Sequence, residues 1–165
     1  MPTAENPPLP QPSRREKLPP ERPSLTRRLH IKYQEPDPKN EGKFLTKHLR
    51  MYVTAGMYED GRIGELFIRG EKQGELLSGV LDQFATSISL GLQHGVPLQA
   101  FTIKMRGTQF GPAQQFGLDD QTFTGCTSPF DLLAKWLDSV FPDGKFKNPH
   151  TKDTPHADVP KESQA

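Results

Sequence analysis

Between residues 51 and 97 the hydrophobic period of the chain changes once, from two to between three and four, and that change limits what it can fold into. Residues 51–58 and 63–69 flank Glu59-Asp60-Gly61-Arg62, a four-residue connection in which Gly61 can take positive φ, so the pair reads as an antiparallel hairpin. On its second strand Ile63, Glu65, Phe67 and Arg69 share one face, with Gly64, Leu66 and Ile68 on the other. From 75 to 94 the period lengthens. Leu77, Leu81, Phe84, Ile88 and Leu92 recur at spacings of three and four, widened by Val80 and Ala85, and Gly95 and Pro97 close the helix.

The flanks extend this unit. Leu29, Ile31 and Tyr33 alternate with His30 and Lys32, which predicts a strand over 24–33 ended by Pro36 and Pro38. Residues 39–48 read as a polar connector, with Phe44 and Leu45 as anchors. Pro97 suits the first position of a short helix stopped near Gly107, and a long polar loop follows to Gly125. The last helix opens on Ser128 as cap, with Pro129 and Asp131 in its first turn. Phe130, Leu133, Leu137 and Val140 form its stripe, beside Trp136 and Phe141, and Pro142-Asp143-Gly144 ends the fold. The order is β-β-β-α-α-α. The expected class is α+β, a small antiparallel sheet of about three strands with helices packed on one face.

Composition sets the boundaries. Ten of the 17 prolines fall in the first 38 residues, and residues 2–12 and 145–165 carry almost no large apolar groups. Such segments bury too little surface to offset their ordering entropy. The expected organisation is a disordered Pro-rich basic arm (1–23), one domain (24–144) and a disordered tail (145–165). The net charge of +1 hides a separation: residues 1–50 carry 11 Lys/Arg against 6 Asp/Glu, and residues 51–144 carry 6 against 11. A basic arm on an acidic body can be a solvated linker, dock on a protein, or neutralise nucleic acid. Tyr33 is its one aromatic before Phe44, so it lacks the interleaved stacking groups of a single-strand binder.

One cysteine, Cys126, excludes an internal disulfide and a four-thiolate zinc site, and the five histidines follow no metal-binding spacing. No apolar run approaches membrane-spanning length, so no membrane contact is expected, and the cytoplasm is the expected location. Asp60-Gly61 is what a tight turn needs. Glu65, mid-strand, requires a partner if buried; Arg62 or Arg69 can supply one, with ligand contact as the other reading. Gly70, Gly74 and Gly79 precede or enter the main helix without the spacing of a phosphate-binding loop. Cys126 lies two residues before a helix cap, where a thiol can be activated, yet no histidine is near it in sequence. It reads as a small buried hydrophobe.

Several stretches together resemble one family. They are Tyr52-Val53-Thr54, Tyr58-Glu59-Asp60-Gly61-Arg62, Gly64-Glu65, Phe67-Ile68, Leu77-Ser78-Gly79, Ala85-Thr86, Leu92-Gln93-His94-Gly95-Val96-Pro97-Leu98, Phe110-Gly111-Pro112 and Trp136-Leu137. In this order they resemble the TSCPD domain found in the C-terminal region of cobalamin-dependent ribonucleotide reductases. Residues 17–26 resemble the linker that enters that domain from the catalytic barrel. Against that family residues 34–48 look like a polar insertion before the hairpin, and the name-giving order Thr-Ser-Cys-Pro-Asp is absent: the chain reads Cys126-Thr127-Ser128-Pro129-Phe130-Asp131.

The resemblance implies an accessory domain, not catalytic by itself, that assists or belongs to a split ribonucleoside-diphosphate reductase in deoxyribonucleotide synthesis. Adenosylcobalamin is then implied for a partner catalytic chain and no cofactor for this one, because the family's radical chemistry needs several thiols in a shielding barrel. Expected contacts with that partner are Lys17, Arg22, Arg27, Arg28, Arg62, Glu65 and Arg69. The alternative is a nucleic-acid or nucleotide-binding module using the basic arm. A small independent enzyme using Glu65 or Cys126 is a third reading.

Overall fold

A computed structural model describes residues 13–70, 74–110 and 122–147. Three antiparallel strands, β1 (Ser24–Pro36), β2 (Phe44–Met57) and β3 (Ile63–Gly70), form a sheet in the order β1-β2-β3. The helices α1 (Glu75–Gln93), α2 (Leu98–Met105) and α3 (Pro129–Val140) follow, then a single turn of tighter helix at Pro142–Gly144. This is the α+β arrangement expected from the sequence. Residues 1–12, 71–73, 111–121 and 148–165, with the composition and loop readings that fall on them, lie outside the described residues.

The core follows from the alternation. Leu29 and Ile31 of β1, Met51, Val53 and Ala55 of β2, and Leu66 and Ile68 of β3 all point to one side, where α1 contributes Leu81, Ala85 and Ile88. Beneath them α3 is apolar almost all round: Leu132, Leu133, Ala134, Trp136, Leu137 and Val140 are all buried. The β2–β3 turn is built as the sequence required, with Gly61 at φ +82° and Asp60 Oδ1 accepting from the Arg62 N–H at 3.0 Å.

Two expectations change. Residues 34–48 are not a break between strands. β1 runs on to Pro36 and β2 starts at Phe44, pairing Pro36 with Phe44 and Tyr33 with Lys47. The turn at 37–43 is held by Asp37, which accepts from Lys39 N at 2.9 Å and Asn40 Nδ2 at 2.7 Å. The stretch is polar because this end of the hairpin projects beyond the helices and exposes both faces. Pro36 fits because β1 is an edge strand, where a missing N–H removes no ladder bond. The second change is in α1. Leu77 and Val80, placed by periodicity in the buried stripe, are half exposed, and Leu76 is 83% exposed.

α1 also closes the free edge of β3. Ser89 Oγ accepts from Leu66 N at 2.8 Å, and its one hydrogen lies within reach of two carbonyls, Ala85 O at 2.8 Å and Leu66 O at 3.2 Å. One turn on, Gln93 Nε2 donates to Gly64 O at 3.0 Å. Ser89 and Gln93 thus sit four apart, on one helix face, and answer polar groups that an edge strand otherwise leaves open.

Candidate functional site

Residues 13–23 carry no regular secondary structure, yet they wrap the hairpin end of the sheet. Ser13 Oγ donates to His94 O at 2.5 Å, Glu16 N donates to Gln93 O at 2.8 Å, and Arg15 Nε donates to Gln93 Oε1 at 2.7 Å. Tyr58 Oη donates to Glu16 O at 2.6 Å. The Glu16 carboxylate receives two bonds from Arg62, at 3.0 and 2.8 Å, and Arg62 also holds Asp60 at 2.7 Å while lying 4.6 Å over the Tyr58 ring. Hydrogen bonding from Arg62 holds both Glu16 and Asp60 below the usual carboxylate range, and those two carboxylates raise the guanidinium in turn. Further on, Arg22 pairs with Glu65, and Pro23 O accepts from Met57 N at 2.9 Å as the chain enters β1.

The surface beneath this segment is shaped for it. A Cβ on Gly64 would lie 2.6 Å from the Tyr58 ring and 2.9 Å from Leu18 Cδ1, and a Cβ on Gly56 would run into the Glu65 carboxylate. Glycine at these two positions lets the lead-in segment and its ion pair sit flat against the sheet.

The residues expected to contact a partner therefore separate into groups. Arg22, Arg62 and Glu65 belong to this clamp. The partner of Glu65 is Arg22, where hairpin neighbours Arg62 or Arg69 were expected; periodicity cannot see a counter-charge 43 residues away. Arg27 donates to Thr122 Oγ1 at 2.6 Å and lies 5.5 Å over the Phe123 ring. Lys17 is exposed on the linker. Arg28 and Arg69 lie on the open side of the sheet, level with Tyr52 between them. Partial burial there, and the charges of Arg50, His48, Arg28 and Lys32, push His30 below the ordinary imidazole value. His30 and His48 make a ring-nitrogen contact of 2.9 Å.

Cys126 is fully buried. Its sulfur has Lys135 Nζ at 3.8 Å and Phe123 O at 3.9 Å. Next to it Asp131, 3% exposed, accepts from Gly107 N at 2.9 Å, Thr127 N at 3.1 Å and Lys135 Nζ at 2.9 Å. Ser128 Oγ accepts from Asp131 N at 3.0 Å, and Thr127 Oγ1 donates to Thr108 O at 2.9 Å. The cluster ties the start of α3 to the end of α2. Sequence reading gave Asp131 a helix-end role and missed this cross-link.

The described residues contain no group of three or more His, Cys, Asp or Glu able to hold a metal. A hollow lined by Phe84, Ile88, Phe101, Met105 and Phe130 holds about 260 Å³, below the size of ordinary small-molecule pockets. This hollow is too small for a corrinoid. No helix among the described residues is long and apolar enough to cross a membrane.

Fold and clamp together define a small α+β module entered through a docked linker. The chain belongs to the TSCPD domain family, whose model matches residues 26–141. It is 34% identical over 136 residues to a vitamin B12-dependent ribonucleotide reductase of Rhodopirellula baltica, an overlap of 82% of this chain and 11% of that protein. Over 69 residues it is 44% identical to the vitamin B12-dependent ribonucleotide reductase of Streptantibioticus cattleyicolor, covering 42% of this chain and 11% of the relative. A relative of the same name from Bradyrhizobium diazoefficiens is 44% identical over 64 residues, 39% of this chain and 5% of its own length. The chain thus spans about a tenth or less of these relatives. No solved structure matches it.

Thr127, Ser128 and Asp131 each reach the segment that leaves α2: Thr127 Oγ1 donates to Thr108 O, Ser128 Oγ lies 2.7 Å from Thr108 Oγ1, and Asp131 Oδ1 accepts from Gly107 N.

Proposed function

We propose that this chain is an accessory module of a B12-dependent ribonucleotide reductase, without reductase activity of its own, that works on a separate or attached catalytic chain in deoxyribonucleotide synthesis. The observation that carries the reading is the clamp. Residues 13–23 are fixed to the domain from Ser13 to Pro23, which gives the module a defined path of entry. A free linker would not specify that.

Two further observations support it. The reaction named for the relatives calls for accessible thiols, and Cys126, the single cysteine, is sealed in the core. The first turns of α1 expose Leu76, Leu77 and Val80 together, an apolar ridge suited to a protein partner. Cobalamin belongs in this reading to the catalytic chain, and the cytoplasm is the compartment. The arm is not favoured as a nucleic-acid site, since Arg15 and Arg22 are turned onto Gln93 and Glu65.

Sedimentation of the full chain with a B12-dependent reductase catalytic chain lacking its own C-terminal region tests the reading. A complex is expected, weakened by Leu76→Ser and Val80→Ser together. Two independent boundaries at tens of micromolar would contradict it.

A further inference from the structure

The sheet has one face on the helices and one face open. On the open face the register places residues in rows across the strands. Arg28, Tyr52 and Arg69 form one row, and Thr26, Thr54 and Phe67 form the next. His30 with Arg50, then Lys32 with His48, continue the face towards the projecting end of the hairpin. Tyr52 is 41% exposed and Phe67 44% exposed, large values for aromatic groups held in the body of a sheet. They are diagonal neighbours on adjoining strands, about 7 Å apart in such a register.

Charge on this face has one sign. Among the described strand residues that point this way, Glu65 is the one carboxylate, and Arg22 occupies it. Burial first, and then the same accumulation of cations, lowers His30. The body of the chain between 51 and 144 is acidic overall, so the basic surface is local and set by register. An anion is the complementary partner, and two exposed rings between guanidinium groups ask for an anion that also carries flat apolar groups. Phosphates joined to bases meet both demands; an acidic protein surface meets the first alone.

We propose that the open face of the sheet binds single-stranded nucleic acid, with Tyr52 and Phe67 stacking two successive bases and Arg28, Lys32 and Arg69 meeting the phosphates. Duplex is a poor fit, because stacked and paired bases cannot lie on the rings. The surface lies apart from the α1 ridge and borders the linker clamp at Glu65 without using a clamp residue, so it stands or falls apart from the reductase reading.

Fluorescence anisotropy of the full chain with a labelled 12-nucleotide single strand, as DNA and as RNA, tests it, with the matching duplex and poly-glutamate as competitors. The single strand is expected to bind, with log K falling against log salt at a slope of about −2 for three phosphate contacts. Tyr52→Ala and Phe67→Ala are each expected to weaken binding about five-fold or more, and Arg69→Ala to make the slope shallower by about 0.7. Both rings are exposed, so thermal melting of these variants should match the parent. No binding at low salt, binding indifferent to loss of both rings, or displacement by poly-glutamate as readily as by unlabelled strand would each overturn the proposal, the last in favour of an acidic protein partner.

Discussion

The Arg22 guanidinium closes on the Glu65 carboxylate, so a residue of the lead-in segment supplies the counter-charge for a residue in the middle of β3. The side chains are 28% and 12% exposed, which places the pair between a surface ion pair of little value and a buried one. Arg22→Ala leaves Glu65 largely covered and unpaired. A loss of about 1–3 kcal/mol in urea unfolding is expected. Faster amide exchange at Glu16 and Met57, whose N–H groups are bonded across the clamp, should accompany it. Unchanged exchange at both amides would mean the linker is held without this pair.

Gly56 lies under the same carboxylate. Gly56→Ala is expected to cost about 1–3 kcal/mol because the added methyl must displace Glu65. Repeating the substitution in a Glu65→Ala background should recover part of that cost. A double-mutant cycle reads the coupling, and strict additivity would place the strain elsewhere.

Ser89→Ala removes the hydroxyl that answers both polar groups of Leu66. A destabilisation of about 1–3 kcal/mol is expected, with faster exchange at the Leu66 amide than at Val53, inside the sheet. Cysteine at position 89 keeps the volume but only weak hydrogen bonding, and should fall between the two.

Asp131 links stability to pH. Burial raises its carboxyl, but the Gly107 and Thr127 N–H groups and Lys135 outweigh burial and hold it below its ordinary value. A lowered folded value means stability that is present above the unfolded pKa of about 3.9 and lost as pH falls through the folded one. Asp131→Asn should flatten the acid limb of the stability curve, and Asp131→Ala should cost about 2–4 kcal/mol at neutral pH. An acid limb equally steep in Asp131→Asn would assign it to other carboxylates.

The sequence was legible where a local period met a local signal. The Gly61 turn, the Ser128 cap and the Leu81–Leu92 stripe needed only neighbours within a few residues. The polarity of residues 34–48 suggests a connector, but in a hairpin that outruns its helices both faces meet water and need no apolar side. Leu77 and Val80 carry the right period for burial, but no described residue covers the first turns of α1. The clamp was hidden for another reason. Arg22 and Glu65, Arg62 and Glu16, and Ser89 and Leu66 are 23 to 46 residues apart, and long-range pairing of polar groups leaves no periodic trace. The open-face row of Arg28, Tyr52 and Arg69 likewise appears only once the register is known.

Deoxyribonucleotide formation by the full chain, alone and titrated into a B12-dependent reductase catalytic chain lacking its C-terminal region, with adenosylcobalamin and a dithiol supplied, tests the accessory role most directly. The expected result is no product from this chain alone and a saturable rise in turnover when the two are mixed. Product from this chain alone, or turnover indifferent to it at every concentration, would contradict that role.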